Sequence, residues 1–154
     1  MNKNHSFQIV VDADACPVKA EIAKAGLKYN VPVLMVATHD HQLEESSGVT
    51  VKYVDRSDQS VDLYISNCIR EGDILVTQDF GLAALGLAKQ AIVLSVRGQV
   101  YTEQTIDFLL ERRHANAKRR RGGGRHKGPR AFTDEDRTQF LQTLTVILRN
   151  LQDL

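Results

Sequence analysis

Asp12 and Asp14 stand just past a short apolar run, FQIVV at residues 7–11, and Asp79 closes another, ILVTQD at residues 74–79. Asp55 follows VTVKYV at 49–54, Asp58 comes three residues later, and Asp62 lies one helical turn beyond Asp58. Carboxylates gathered in one place repel. Two at ~5 Å lose about 0.8 kcal/mol in bulk-water dielectric and several-fold more near a protein surface. Without a cation, one or more must take up a proton. An all-oxygen donor set selects hard ions, Mg²⁺ or Mn²⁺. Such ions activate water and stabilise the charge that develops on a phosphodiester. The expected ligands are Asp12, Asp14, Asp62 and Asp79, with Asp58 as a further one, although a helix cap is the plainer role for Asp58. Thr77, two residues before Asp79, is suited to hydrogen-bond a carboxylate. Lys19 lies near the same acids as a candidate phosphate contact, with a solvated helix face as the alternative.

These acids meet only if the chain is folded so that apolar runs end together. Residues 7–11 read as a buried strand, VPVLMVAT as a second, VTVKYV as a third, ILVTQD as a fourth and AIVLSV as a fifth. Helical patterns separate most of them: Asp14 and Pro17 start one that runs to about Asn30, Ser57 or Asp58 caps another, and a short one covers Gly81 to Lys89. Strands that are apolar throughout and alternate with helices predict a three-layer α/β sandwich around a mainly parallel five-stranded sheet. Ligands in such sheets sit beyond the carboxyl ends of the strands, where the aspartates fall. Asp73 precedes its strand and so belongs to the opposite edge, as turn chemistry. Thr102 opens a further helix. Thr133 with Asp136 three residues later marks the start of a last one over residues 133–152, whose apolar stripe docks it on the body.

The chain has 154 residues, enough for one domain with one core. Its net charge of +1 hides an uneven distribution. Residues 112–130 hold nine Lys/Arg and no acid, while the remainder holds eleven against nineteen acids. The segment RRRGGGRHKGP cannot bury a core face, so a mobile basic loop is expected at about residues 115–131. Arg119, Arg120, Arg121, Arg125 and Lys127 are the candidate phosphate contacts; a solubilising loop is the bland alternative. Aromatic residues are absent from this stretch, which favours backbone binding over base stacking. Cys16 and Cys68 have no motif spacing and read as buried thiols. His39 and His41 lack further ligands at zinc spacing and read as a polar loop. No apolar run approaches the roughly 18 residues of a membrane helix, and no signal-peptide pattern precedes Asp12, so a cytoplasmic protein is expected.

The segments VDADACPVK and GDILVTQDFGLA, the pair Arg97-Gly98, and GPRAFTDEDRTQF resemble the uncharacterised bacterial YaiI/YqxD family over nearly the whole chain. That family is similar to the PIN-like metal-dependent nucleases. The resemblance implies a PIN-like fold, with Asp12, Asp62 and Asp79 at the positions of the nuclease acids, Asp14 as the family's own addition, and Glu21 as the candidate for a further acid. One position departs: Thr105, where an asparagine is expected before Ile106.

The leading expectation is an Mg²⁺- or Mn²⁺-dependent nuclease acting on RNA. Asp12, Asp14, Asp62 and Asp79 would hold the metal, and the basic segment would clamp the backbone. The second is a non-catalytic RNA- or ribosome-associated binding module. A haloacid-dehalogenase-like phosphatase is third: Asp12-x-Asp14 and Thr38 suit it, but its late acid pair should follow a strand, whereas Asp73 precedes one.

Overall fold

The computed structural model describes residues 6–38, 43, 45–55, 60–121 and 130–153, apart from the side chains of 119–121. Five strands form one sheet: β1 (Ile9–Asp12), β2 (Val33–Thr38), β3 (Val49–Val54), β4 (Ile74–Val76) and β5 (Ile92–Leu94). All four pairings are parallel and the order is β3-β2-β1-β4-β5. Helices α1 (Lys19–Tyr29), α2 (Ser60–Cys68), α3 (Phe80–Ala88), α4 (Glu103–Arg121) and α5 (Asp134–Gln152) cover both faces. Alternate strand residues point to opposite faces, and the core divides accordingly. Ile9, Val11, Ile74 and Val76 pack with Ile22 of α1 and with Phe140, Leu144 and Leu148 of α5. Val10, Val36 and Leu75 pack with Ile65 of α2, Leu82 of α3 and Ile106 of α4. The three-layer α/β sandwich expected from the sequence is the one observed.

The strand order fixes where a ligand belongs. From β1 the chain crosses to β2 on one side through α1, and from β4 to β5 on the other side through α3. The order therefore reverses between β1 and β4, and the crevice of such a sheet opens at that point beyond the strand ends. By alternation Asp12 shares the face of Val10, and Thr77 that of Leu75, so both sit on the α2–α3 side of this crevice.

Three element boundaries differ from the sequence reading, each for a local reason. The first helix begins at Lys19 rather than Asp14, after a one-turn 3-10 helix at Ala13–Ala15. Cys16 is extended between them (φ −114°, ψ 108°), as the steric demand of Pro17 on the preceding residue requires. β4 stops at Val76 instead of running to Asp79, because the Thr77 hydroxyl accepts the Asp79 N–H and turns the chain. Where a loop is expected from about residue 115, α4 runs on to Arg121; residues 122–129 of that expected loop lie outside the described residues. Ala115, Ala117, Lys118 and the arginines are strong helix formers, and Gly122 is the first breaker. From Glu111 to Lys118 this helix is exposed or half-buried throughout. No helix among the described residues is long and apolar enough to cross a membrane.

Candidate active site at the carboxyl edge of the sheet

Asp12 ends β1 and Thr77 follows β4, its immediate neighbour. The Thr77 hydroxyl donates to Asp12 Oδ2 at 2.8 Å and accepts the Asp79 N–H at 3.0 Å. One side chain thus orders acids from two strands, in keeping with its spacing in the sequence. Asp79 is also the N-cap of α3, its Oδ1 accepting from Leu82 N–H at 3.1 Å. Asp14 sits in the 3-10 turn after β1, and its Oδ1 accepts from Thr38 N–H at 3.0 Å, which ties that turn to the end of β2. Asp62 lies in the first turn of α2.

Asp12 senses the charge of the other three acids. Burial pushes the Asp12 carboxyl up from 3.8 to about 6; the Thr77 hydrogen bond opposes this, and the charges of Asp62, Asp79 and Asp14 add to it. Asp62 is raised as well, first by burial and then by Asp79. The donor chemistry, hard carboxylate oxygens around a mostly buried Asp12, suits a small divalent cation. The spacing does not yet enclose one: among the described residues, no group of three or more Asp, Glu, His or Cys is arranged to hold an ion. Repulsion between like charges keeps such carboxylates apart when nothing neutralises them.

The remaining candidates divide. Asp55 follows β3 and Glu21 opens α1, and neither is among the acids that act on Asp12. Glu21 Oε2 is instead paired with Arg137 at 3.0 Å, while its Oε1 is buried with no hydrogen-bond partner among the described residues. Lys19 is half-buried, and its Nζ donates to the carbonyls of Ala13 (3.0 Å) and Cys16 (2.7 Å), closing the turn that carries Asp14. Asp58, Arg125 and Lys127 lie outside the described residues, as do His39 and His41. Arg119, Arg120 and Arg121 form the last turn of α4, which is where the helix dipole favours positive charge.

Asp73 lies at the opposite edge, buried, and accepts from the backbone N–H groups of Gln8 and Arg70 and from the Gln8 amide. It serves the turn before β4 and ties down the start of β1, so it is remote from Asp12. Thr105 acts locally, exchanging hydrogen bonds with Thr102 at the start of α4. Cys16 is buried, and that burial lifts its thiol to about 11, so it is no nucleophile. Cys68 is half-buried against the second core.

One cluster goes beyond the helix cap that the sequence predicts. Thr133 and Asp136 form the reciprocal capping box of α5. Asp136, only 6% exposed, also engages Arg97 at 2.5 Å and Arg130 at 2.7 Å. The Arg130 hydrogen bonds hold its carboxyl well below the usual range. Arg137, one residue on, donates to the Pro17 carbonyl at 2.9 Å. The signal for it in the sequence is the pair Arg97-Gly98 and the charged run from Arg130 to Arg137.

With this geometry in view, similarity to other proteins becomes informative. Residues 10–150 match the model of a family described as "Uncharacterized BCR, YaiI/YqxD family". The UPF0178 protein of Bacillus pumilus is 46% identical over 147 residues, 95% of this chain and 89% of its own. A UPF0178 protein of Bacillus velezensis is 49% identical over 143 residues, 92% and 85% of the two chains. One from Listeria monocytogenes is 43% identical over 143 residues, 93% and 96%. No solved structure matches the chain. Matched over almost its whole length, and carrying its aspartates on the switch-point edge of the sheet, the chain belongs to the YaiI/YqxD family.

Proposed function

We propose that the crevice between β1 and β4 is a divalent-cation site for hydrolysis of nucleic-acid phosphodiesters, with RNA as substrate and Mg²⁺ or Mn²⁺ as cofactor. One observation carries the reading: Asp12 stands mostly buried where the strand order reverses, near enough to Asp62, Asp79 and Asp14 for their charges to act on it, and is charged there only at a cost, its carboxyl raised to about 6. A bound cation would activate the attacking water and stabilise charge on the phosphoryl oxygens. The chain's own groups supply the rest. Thr77 fixes Asp12 Oδ2, which leaves the other carboxylate oxygen for a ligand. The Leu82 N–H orients Asp79, and the Thr38 N–H orients Asp14. The reading requires Asp62 and Asp79 to approach Asp12 when a cation is present. It accords with the resemblance to PIN-like nucleases. The exposed Arg112, Arg113 and Lys118 of α4, with Arg119, Arg120 and Arg121 in its last turn, would follow the phosphate backbone together with Arg125 and Lys127.

A second reading, an RNA-binding module without catalysis, draws on the exposed Arg112, Arg113 and Lys118 of α4, which need no metal to meet a phosphate backbone. Cleavage of end-labelled RNA with Mn²⁺, run beside binding with chelator, separates the two. The nuclease reading expects Mn²⁺-dependent products that Asp79→Asn abolishes while leaving binding intact. Binding without products in any divalent ion would favour the module.

A further inference from the structure

The turn that carries Asp14 has no cap of its own. Neither Asp12, at the start of the 3-10 turn, nor Val18, at the start of α1, makes a side-chain capping bond. Separately, the end of the 3-10 turn, short of α1, leaves carbonyls that need donors from elsewhere. Lys19 takes two of them, those of Ala13 and Cys16. A third, on Pro17, is met from the other end of the chain by Arg137 Nη1 at 2.9 Å. The same Nη1 holds Glu21 Oε2 at 3.0 Å, so Arg137 grips α1 and the turn before it together.

Arg137 is itself held in place. Its guanidinium lies 5.2 Å from the Phe132 ring centre, and that of Arg97 lies 5.6 Å from the same ring. Arg97 follows β5 and donates to Asp136 at 2.5 Å and to the Arg130 carbonyl at 2.5 Å. Asp136 also takes both terminal nitrogens of Arg130, and its Oδ2 accepts from Thr133 N–H in the capping box of α5. The terminal nitrogens of Arg97 and Arg130 are therefore engaged within the protein, as in a clamp. The contacts run without a gap from the end of β5, through the start of α5, to the turn between β1 and α1.

We propose that Arg137 is a positioning residue for the aspartate edge, setting the Asp14 turn through the Pro17 carbonyl, with the Arg97–Asp136–Arg130 cluster fixing Arg137. The functional weight of this inference rests on the reading of that edge as a cation site, but its structural content does not. The reporter is the Thr38 amide, which donates to Asp14 Oδ1 and lies far from Arg137 in sequence.

The test is hydrogen exchange and the amide chemical shift of Thr38 by NMR, on the full chain without metal or nucleic acid. Arg137→Gln should speed Thr38 exchange roughly tenfold relative to Met35 in the same strand, as expected for losing one hydrogen bond of ordinary strength. Arg149→Gln is the control: it sits on the same helix but bonds the Tyr29 hydroxyl, and should leave Thr38 unchanged. Should Arg137→Gln fail to fold, Thr133→Ala loosens the cap without touching the turn and must move Thr38 in the same direction. Unchanged Thr38 exchange and shift in a folded Arg137→Gln, or an equal change in Arg149→Gln, overturns the proposal. A parallel Mn²⁺ titration should show Arg137→Gln weakening binding although every aspartate is present. Failure of wild type to bind Mn²⁺ would remove the functional reading and leave the clamp standing on the exchange data.

Discussion

Asp12 concentrates the physical tension of this molecule in one side chain. Raising a carboxyl from 3.8 to about 6 corresponds to about 3 kcal/mol against its charged form at neutral pH. The folded state keeps this proton to a higher pH than the unfolded chain does. Between about pH 4 and pH 6 it therefore binds more protons, and stability falls as pH rises through that window. Asp12→Asn should flatten this part of the pH dependence. At pH 7 and without divalent ions it should be more stable than wild type by about 1–2 kcal/mol, the remainder being lost with the charge-assisted bond from Thr77; urea melts at pH 4 to 7 check both. Asp136 works in the opposite sense: its lowered carboxyl stabilises at neutral pH, and that effect fades as pH falls below the ordinary 3.8 until it is gone in strong acid. The acids themselves are legible in the sequence because most of them follow an apolar run. Their partners are less so. Thr77 is readable from its spacing to Asp79, but the Thr38 N–H is a backbone group and carries no sequence signature. Lys19 reads as a surface cation because nothing in its neighbourhood announces that two carbonyls of the preceding turn need donors.

Strands and helices are recoverable where a single period governs a segment. The capping box Thr133–Asp136 and the apolar stripe of α5 identify that helix from sequence alone, and the structure has it at Asp134–Gln152. Boundaries shift where a side chain competes with the backbone, as Thr77 does at the end of β4, and where Pro17 restricts the residue before it, ahead of α1. The end of α4 lies beyond the point where the sequence reading starts a loop, because positive charge alone does not make disorder; Lys, Arg and Ala favour helix. Thr133→Ala removes one half of the box and should lower stability by about 1 kcal/mol. Asp136→Asn should lower the melting temperature further than Thr133→Ala does, because it weakens the cap and leaves Arg97 and Arg130 facing a neutral group; thermal melts of the two variants side by side test the order. Gly26 marks the closest approach of α1 to the sheet. A Cβ there would sit 2.6 Å from Val33 Cγ2 and 2.8 Å from the Val31 carbonyl. Backbone cannot yield cheaply, so overpacking of roughly 1–3 kcal/mol should outweigh the helix propensity that alanine adds. Gly26→Ala is expected to be destabilised in denaturant, and a gain in stability would show that α1 is less firmly seated than described.

Across the whole molecule, an acidic crevice at the carboxyl edge of the sheet coexists with a basic stretch of α4 on which Arg112, Arg113 and Lys118 are exposed. Charge of both signs on one small chain suits a polyanion approached through its backbone and attacked at one phosphate. If residues 112–130 track single-stranded RNA, replacing Arg119, Arg120 and Arg121 by alanine should flatten the log–log salt dependence of binding by about 2, since each lost contact accounts for roughly 0.7. Affinity should fall alike for all sequences, because phosphate contacts carry no base information; filter binding from 50 to 200 mM salt, on the order of the range where counterion release is visible, reads this directly. The strand order that creates the crevice is not legible in the sequence. Alternating strands and helices imply a parallel sheet, but which strand lies beside β1 is decided by the crossover from β3 to β4 and by packing on both faces. Everything proposed for function depends on whether that crevice takes a cation, so the most direct measurement is calorimetric titration of the metal-free protein with Mn²⁺. Saturable binding that Mg²⁺ competes for, that raises the melting temperature by mass action, and that Asp12→Asn abolishes, is the predicted result. Heats no larger than those of dilution, with wild-type melting unmoved by millimolar Mn²⁺ or Mg²⁺, would contradict the account at its centre.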